Sequence, residues 1–513
     1  MIIKSVMLII FFAVMIGVGF YCRRQATDVN GFVLGGRSVG PWLTAFAYGT
    51  SYFSAVIFIG YAGQFGWKYG IASTWIGLGN ALIGSMLAWV ILGRRTRVMT
   101  QHLNTATMPE FFEKRFDSKK LKLAASVIVF VFLVPYTASL YNGLSRLFGM
   151  AFEIDYTVCI VVMALLTGVY VIAGGYMATA INDFIQGIIM LIGIAAVVFA
   201  VLKSNGGFTE AVNALAHIQD KSVSAQPGVF ASFFGPEPLS LLGVVILTSL
   251  GTWGLPQMVQ KFYAIRSENA IRKGTIISTV FALIIAGGCY FLGGFGRLYG
   301  DRIDVVKEGY DAIIPAMLSD LSPFLMGLIV ILVLSASMST LSSLVMASSS
   351  TLTLDFIKGT VVKEMDEKKQ LLCIRALIVV FISISVIIAI YQYRSANSFI
   401  AQLMGVSWGA LAGAFLAPFL YGLYWKKTTR AAVWVSFILG AGIMTLNLLF
   451  RGAFPEFLQS PINAGAFVMI FNLILVPVVS LVTKKPDEAG IHQIFACYDR
   501  KVSVSQKKSI SEI

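Results

Sequence analysis

Apolar runs of about 20 residues recur along the whole chain, and this repetition restricts the possible folds more than any other feature. A helix of about 20 apolar residues crosses the hydrocarbon core of a bilayer. Charged residues make up only 12% of the 513 residues, whereas a soluble domain carries about 25%. Too few polar side chains therefore remain to cover a water-facing surface. The sequence predicts an all-α integral membrane protein that lies in a lipid bilayer.

The runs predict about 13 transmembrane helices, at approximately 3–22, 41–64, 71–93, 122–149, 156–175, 180–202, 239–262, 272–296, 323–355, 371–392, 397–424, 430–450 and 462–483. Arg23 and Arg24 follow the first run without a small-residue cleavage site, which favours a retained helix over a signal peptide. Lysine and arginine concentrate in alternate loops, starting with 23–40. By the positive-inside rule, these loops are cytoplasmic. The N-terminus is then outside and the C-terminus inside, in a multi-pass protein of the plasma membrane.

Charge and cysteine usage exclude several functions. The net charge of +14 is explained by the cytoplasmic loops, so a nucleic-acid partner is not needed. The five cysteines are spread singly, and the three histidines lie outside the apolar runs. Neither a metal cluster nor a disulfide framework is indicated. No catalytic motif or cofactor-binding loop stands in a suitable context, so the chain is predicted not to be an enzyme and to have no organic cofactor.

Asp183 is the one acidic residue that the pattern places well inside an apolar run. A charge in the bilayer is costly, at least about 2.5–3.5 kcal/mol on insertion scales. One interpretation is that Asp183 binds a cation or carries a proton. The alternative is a carboxylate that caps its own helix near the N-terminus, where the helix dipole favours it.

A serine-rich segment follows in the run 323–355. Ser339, Ser342 and Ser343 share one helix face, with Ala336 one turn earlier. Hydroxyl groups and a carbonyl bared by a small residue are the oxygen ligands that hard cations prefer. The alternative is that small polar residues permit close helix packing and bond to their own helix.

Two apolar runs are interrupted near their middle. Gly49-Thr50-Ser51 interrupts the run 41–64, and residues 251–256 interrupt the run 239–262. Paired breaks of this kind in corresponding spans are typical of the central site of a transporter. Two packing kinks are the alternative.

Three motifs resemble those of the sodium/solute symporter family, especially its sodium/proline branch. They are Gly35-Gly36-Arg37-Ser38-Val39-Gly40-Pro41, the element Asn182-Asp183 with Gln186, and Ala336 with Met338-Ser339-Thr340-Leu341-Ser342. With the span pattern, the resemblance covers nearly the whole chain. It implies Na⁺-driven uptake of a small solute by alternating access. It also implies a leucine-transporter-type core of two inverted five-helix repeats.

This resemblance divides the chain into six parts, namely an extra helix and loop (1–40), the first repeat (41–202), an extracellular loop (203–238), the second repeat (239–424), two peripheral helices (425–483) and a cytoplasmic tail (484–513). The polar composition of the tail predicts poor order. The sequence leaves the oligomeric state open, a monomer included.

The resemblance also implies ligand sets for Na⁺ as the coupling ion. The first Na⁺ would bind the carbonyls of Thr50, Phe53 and Ala336 and the hydroxyls of Ser339 and Thr340. By similarity to a sialic acid transporter of the family, a second Na⁺ would bind Asp183, Ser339, Ser342 and Ser343.

The solute is predicted less sharply. Tyr136 matches the proline branch, but Tyr52, Val56, Thr248 and Thr252 depart from it. The remaining candidates line a small, moderately apolar cavity: Ser51, Ser54, Tyr136, Trp253 and Gln257. Such a cavity suits an amino acid such as proline, held by half-helix N-termini without an intramembrane cation. A small carboxylate, a sugar or sialic acid is the alternative solute, and a membrane-embedded solute sensor or enzyme is the alternative of another class.

Overall fold

The computed structural model describes residues 2–152, 155–224, 226–362, 364–394 and 400–499. Within these ranges the chain forms helices and loops and no β-strand. The first ten α-helices are α1 (Ile2–Cys22), α2 (Val29–Leu34), α3 (Pro41–Tyr52), α4 (Ala62–Tyr69), α5 (Thr74–Gly79), α6 (Arg94–His102), α7 (Met108–Phe116), α8 (Lys119–Phe152), α9 (Tyr156–Ser204) and α10 (Phe208–His217). The others are α11 (Pro238–Leu250), α12 (Pro256–Ala264), α13 (Glu268–Gly293), α14 (Val305–Glu308), α15 (Ile313–Leu318), α16 (Pro323–Thr351), α17 (Glu367–Arg394), α18 (Ile400–Tyr424), α19 (Arg430–Leu449), α20 (Glu456–Gln459), α21 (Pro461–Val482) and α22 (Glu488–Phe495).

The prediction of an all-helical membrane protein is confirmed. Among the described residues, ten helices are long and apolar enough to cross a membrane, or eleven when a bent pair is counted as one span. Two of them, Val56–His102 and Tyr156–Ser204, are 47 and 49 residues long, and the second covers two of the predicted runs. The count of 13 spans and the orientation of the termini stay predictions.

Helix α16 lies at the centre of the bundle. It packs against α9, α8 and α3, and α18 packs against α8 on one side and α19 and α21 on the other. All residues of α16 from Ile329 to Thr351 are buried. Because this helix has no lipid-facing surface there, its serines lie inside protein.

Both spans are interrupted, but the prediction that Gly49-Thr50-Ser51 forms the first break is wrong, because this break lies at Phe53. Gly49, Thr50 and Ser51 are part of α3, which ends at Tyr52 because Phe53 is extended (φ −94°, ψ 104°). Gly49 serves close packing instead, since a Cβ atom there would lie 2.4 Å from the ring of Phe281. A π-helical segment, Val56–Tyr61, resumes the helix.

The second break lies between α11 and α12. A 3₁₀ turn covers Gly251–Trp253, Leu255 is extended (φ −82°, ψ 122°), and Pro256 starts the next helix. The two halves meet at a bend of 41°. Proline suits a first helical turn because its missing N–H has no acceptor there.

Part of the predicted tail, residues 488–499, is helical, although the polar composition predicts poor order. Helix α22 and the turn Ala496–Asp499 pack on the loop side of the bundle, where the guanidinium of Arg95 lies between the rings of Tyr424 and Tyr498, at 4.1 and 4.5 Å. Arg115 contacts Phe495 in the same way, and burial lowers the pKa of this arginine to about 10. Cation–π contacts of this kind anchor the tail. The rest of the tail, 500–513, lies outside the described residues.

Candidate functional site

The predicted ligands of the first Na⁺ meet where α3 ends against the middle of α16. The hydroxyls of Ser339 and Thr340 each lie 3.1 Å from the carbonyl oxygen of Thr50. The carbonyl of Ala336 lies 3.1 Å from the Ser339 hydroxyl and 3.0 Å from that of Thr340. Two carbonyls and two hydroxyls from separate helices therefore form one buried cluster of oxygens.

The serine-rich segment also shows the alternative predicted for it, in which the hydroxyls bond to carbonyls of their own helix. The Ser339 hydroxyl lies 2.8 Å from the carbonyl of Ser335, one turn earlier. The carbonyl of Thr50 on α3 is an alternative acceptor, because each hydroxyl has one proton to donate either across to α3 or within α16. The cluster is thus a contact between two helices, and its oxygen donor set fits a hard monovalent cation.

Phe53, the fifth predicted ligand, closes α3. Its extended backbone puts it at the break, and it lines a small apolar cavity that Ala336 and Ser54 also line. This cavity measures about 10 Å³, about enough for one water molecule. The region between the two helices is therefore tightly packed.

Asp183 lies on α9 and is fully buried. Its carboxylate has no well-formed hydrogen bond among the described residues, but its Oδ2 is 3.8 Å from the Nζ of Lys261. Both side chains are buried, at 0% and 3% exposure. The predicted absence of an intramembrane cation is therefore wrong, because Lys261 of α12 reaches into the bundle.

Lys261 also contacts the serine segment. Its Nζ donates to the hydroxyl of Ser343 at 3.0 Å, and that hydroxyl lies 2.6 Å from the hydroxyl of Ser51. The hydroxyl of Ser342 instead donates to the carbonyl of Ser339 on its own helix. The predicted second set is thus only partly assembled as a cation site.

Aromatic rings lie at both helix breaks. Trp408 of α18 stacks on Tyr52 with ring centroids 5.5 Å apart, and Tyr136 meets it edge-on at 5.9 Å. The same indole packs on the backbone at Gly251, where a Cβ atom would lie 3.1 Å from the ring. Trp408 therefore joins the end of α3 to the end of α11.

The predicted solute residues are all buried, but their polar groups differ. The hydroxyl of Tyr136 and both polar atoms of the Gln257 amide make no well-formed hydrogen bond among the described residues. Trp253 donates its indole N–H to the carbonyl of Ile83 at 3.0 Å, and Ser54 accepts from the N–H of Val56 at 3.2 Å. Gln257 thus keeps polar capacity for a ligand, whereas Trp253 and Ser54 bond to backbone, and the Tyr136 hydroxyl lies beside Ser54 and Trp408.

The motif Gly35-Gly36-Arg37 forms a tight loop against the end of α12. All three residues have positive φ, at 58°, 65° and 54°. The buried guanidinium of Arg37 donates to the carbonyls of Tyr263 and Thr105. Burial lowers the pKa of Arg37. The loop therefore holds the helix that carries Lys261.

Sequence reasoning missed three buried residues. Trp408 lies in a mainly apolar run with no break or charge beside it, and Lys261 lies close to the charges of a cytoplasmic loop. Asp355 also lies near the cytoplasmic end of a predicted span. It is nevertheless 1% exposed and accepts a hydrogen bond from Thr107 at 2.7 Å. Asp183 is therefore not the only acid buried within a long apolar helix.

The fold and site together define a multi-pass membrane transporter, in which two interrupted helices meet a buried polar helix. The chain belongs to the Sodium:solute symporter family, whose model matches residues 32–440. Members of this family are Na⁺-coupled transporters of solutes rather than enzymes.

Known proteins resemble this chain in sequence and in fold. The sodium/proline symporter of Staphylococcus aureus (strain JH9) is 30% identical over 496 residues, which cover 94% of this chain and 93% of that protein. The solved structure of a Na⁺-coupled sialic acid symporter in a substrate-bound outward-open state covers 94% of this chain and 98% of its own, with a TM-score of 0.74 and 17% identity. A manganese transporter variant from Eremococcus coleocola has a TM-score of 0.50 and 11% identity, over 89% of this chain and 96% of its own. At such identities, the solved structures show likeness of fold.

Proposed function

We propose that this protein takes up a small organic solute together with Na⁺ by alternating access, and that the solute is an amino acid such as proline. The observation that carries the proposal is the oxygen cluster between α3 and α16, in which Ser339 and Thr340 face the carbonyl of Thr50. A cation bound there would connect the two helices. Its binding would then favour one arrangement of the bundle over another, which is the basis of coupled transport.

The proposed Na⁺ ligands are the five residues Thr50, Phe53, Ala336, Ser339 and Thr340. Three offer backbone carbonyls and two offer hydroxyls, without sulfur or imidazole. This donor set suits Na⁺ better than a transition metal. Na⁺ is cargo here, as the ion whose gradient drives uptake, and no organic cofactor takes part.

The proposed solute site lies beside it, at the breaks of α3 and α11. Tyr136 and Gln257 would bind the solute directly, because they have buried polar atoms without well-formed hydrogen bonds. Ser51, Ser54 and Trp253 would shape its walls. The N-terminus of α12, which begins at Pro256, would favour a carboxylate through the positive end of its helix dipole.

The tight packing of the centre supports a moving site. The apolar cavity beside Phe53 and Ala336 measures about 10 Å³, whereas ligand pockets measure about 300–1,000 Å³. Space for an amino acid would arise when α3 and α12 move at their breaks. Hinges of this kind are single extended residues such as Phe53 and Leu255, which absorb changes in backbone angles.

Around this site we propose the same arrangement of repeats and spans that the sequence predicts. Residues 41–202 and 239–424 would form inverted five-helix repeats within 13 spans of the plasma membrane, with the N-terminus outside. Single cysteines introduced at loop positions and labelled from one side of intact cells would test this orientation.

Uptake of radiolabelled proline into proteoliposomes tests the function. We expect accumulation with an inward Na⁺ gradient and none with an equal K⁺ gradient. Competition by other amino acids, small carboxylates, sugars and sialic acid would then identify the preferred solute. The proposal would be contradicted if the uptake of every solute tested were independent of the Na⁺ gradient.

A further inference from the structure

The buried pair of Lys261 and Asp183 lies where the second Na⁺ was expected. Of the four predicted ligands, Asp183 and Ser343 both face the ammonium, at 3.8 and 3.0 Å. A third ligand, Ser342, donates to a carbonyl of its own helix at 2.8 Å. The residues present therefore do not fit a second Na⁺ while Lys261 occupies this position.

The ammonium has the charge and the contacts that a bound cation would have. It is a compact positive charge with three donors on a flexible stem. Here it faces a carboxylate and a hydroxyl, with the ring of Tyr176 at 5.1 Å. All of these groups are buried, and a buried carboxylate needs an opposite charge nearby. Lys261 supplies this charge from within the chain.

We propose that the ammonium of Lys261 is a built-in substitute for the second Na⁺, so that this protein binds one Na⁺ in each transport cycle. The inference rests on the proposed function and concerns its Na⁺ stoichiometry. Asp183 then has no Na⁺ ligand role in the wild type. It is a positioning residue that holds Lys261, and through it α12, against α9 and α16.

The pair is linked to the proposed Na⁺ site through the chain itself. The Ser343 hydroxyl that accepts from Lys261 lies 2.6 Å from the hydroxyl of Ser51. Ser51 follows Thr50, whose carbonyl belongs to the oxygen cluster. A cation at Thr50 therefore acts on a turn of α3 that the Lys261 network also holds. This gives the fixed cation a means to influence Na⁺ binding without exchanging with solvent.

The inference predicts that removal of the ammonium creates a Na⁺ site. The Lys261→Gln change leaves the carboxyl group of Asp183 buried beside Ser343 without its cation partner, with oxygen ligands around it. We expect this variant to bind a second Na⁺. The double variant Lys261→Gln/Asp183→Asn lacks the carboxylate and should bind one. Lys273→Gln, which removes an exposed lysine on α13, is the matched control and should also bind one.

Equilibrium binding of ²²Na⁺ to the purified full-length protein in lipid nanodiscs counts these sites without any solute. We expect one Na⁺ per wild-type chain with a Hill coefficient of about 1, and two per chain with a Hill coefficient above 1 for Lys261→Gln. Size-exclusion profiles establish that each variant is folded. If Lys261→Gln does not fold, the number of Na⁺ ions bound per wild-type chain alone tests the proposed stoichiometry of one.

The outcomes separate the two proposals. Two Na⁺ ions in the wild type would overturn the substitution by Lys261 and leave Na⁺-coupled symport intact. One Na⁺ in a folded Lys261→Gln variant would also overturn the inference. A wild type that binds no Na⁺ would overturn the proposed function itself, and the inference with it.

Discussion

The hydroxyl of Ser339 on α16 lies 3.1 Å from the backbone carbonyl of Thr50 on α3, so two helices share one oxygen cluster. The Ser339→Ala change removes one of the oxygens proposed to hold Na⁺. A hydrogen-bonding group that acts on a charge contributes about 1.5–3 kcal/mol. We therefore expect the Na⁺ concentration for half-maximal solute uptake to rise at least about tenfold.

The matched control for this change lies on the same helix. The hydroxyl of Ser350 donates to the carbonyl of Met346 at 2.6 Å, within α16, and has no place in the oxygen cluster. The Ser350→Ala variant should keep the wild-type Na⁺ dependence. Equal Na⁺ dependence of Ser339→Ala and wild type would remove Ser339 from the proposed ligand set.

Gln257 tests the solute site separately from the Na⁺ site. Its amide is buried, and both polar atoms lack a well-formed hydrogen bond among the described residues. If the amide binds the solute, the Gln257→Ala change should weaken proline binding about fivefold or more, since one hydrogen bond contributes about 0.5–1.5 kcal/mol and the cavity adds to this loss. Thermal stabilisation of the purified protein by proline, at saturating Na⁺, measures the effect.

Stabilisation by Na⁺ alone provides the internal control for Gln257. It should be the same in wild type and in Gln257→Ala, because the amide is not among the proposed Na⁺ ligands. A loss of both responses would indicate a general defect in folding. Unchanged proline binding would show that Gln257 faces no solute.

The membrane class and part of the oxygen cluster between α3 and α16 could be predicted from the sequence, for a common physical reason. Bilayer burial makes every charge and every polar cluster within an apolar run conspicuous, so Asp183 and Ser339 stood out. Ala336 and Ser339 lie at helical spacing on α16, and this periodicity is a local property. Local patterns of this kind need no knowledge of the tertiary fold.

The residues that were missed depend on tertiary geometry. Lys261 lies five residues from Arg266, so in the sequence it stands near the charges of a loop. Its position against α9 depends on the tertiary fold, which includes the 41° bend between the two halves of its span. Gly49 was taken for a helix break, yet its role is set by Phe281, more than 200 residues away. Contacts between distant elements leave no periodic signal in either segment.

Gly175 interrupts α9 and offers a test of the fold. Its backbone angles (φ 58°, ψ −150°) are nearly exclusive to glycine, and a Cβ atom there would lie 2.9 Å from Phe32. The Gly175→Ala change should destabilise the protein by about 1–3 kcal/mol. Scanning fluorimetry should show a lower unfolding temperature than in wild type.

Gly17 on α1 is the matched control. Its environment has no other atom within 4 Å of an added Cβ atom, and it is helical. Alanine should therefore be tolerated there, or stabilise the helix by about 0.5–1 kcal/mol. Equal unfolding temperatures for the two alanine variants would contradict the strained turn at Gly175.

Asp220, in the segment that follows α10, provides a test by pH. Hydrogen bonds from Ser222 and Arg297 hold the pKa of Asp220 below its usual range, and the carboxylate lies 3.0 Å from Arg297, whose guanidinium packs on the ring of Phe230 at 3.8 Å. A lowered carboxyl pKa in the folded state stabilises the fold above the pKa of the unfolded chain. This stabilisation disappears as the pH falls through the folded-state value.

Hydrogen exchange of residues 218–224 should therefore reveal the ion pair at neutral pH. The Asp220→Asn change should reduce the protection factors there by up to about fivefold, because an ion pair with a partly exposed carboxylate contributes about 0–1 kcal/mol. Glu210→Gln, at an exposed position on α10, should leave them unchanged. Below about pH 4, near the ordinary pKa of aspartate, wild type should approach Asp220→Asn as its carboxylate takes up a proton. A difference between wild type and variant that persisted undiminished at the lowest pH would exclude the carboxylate charge as its cause.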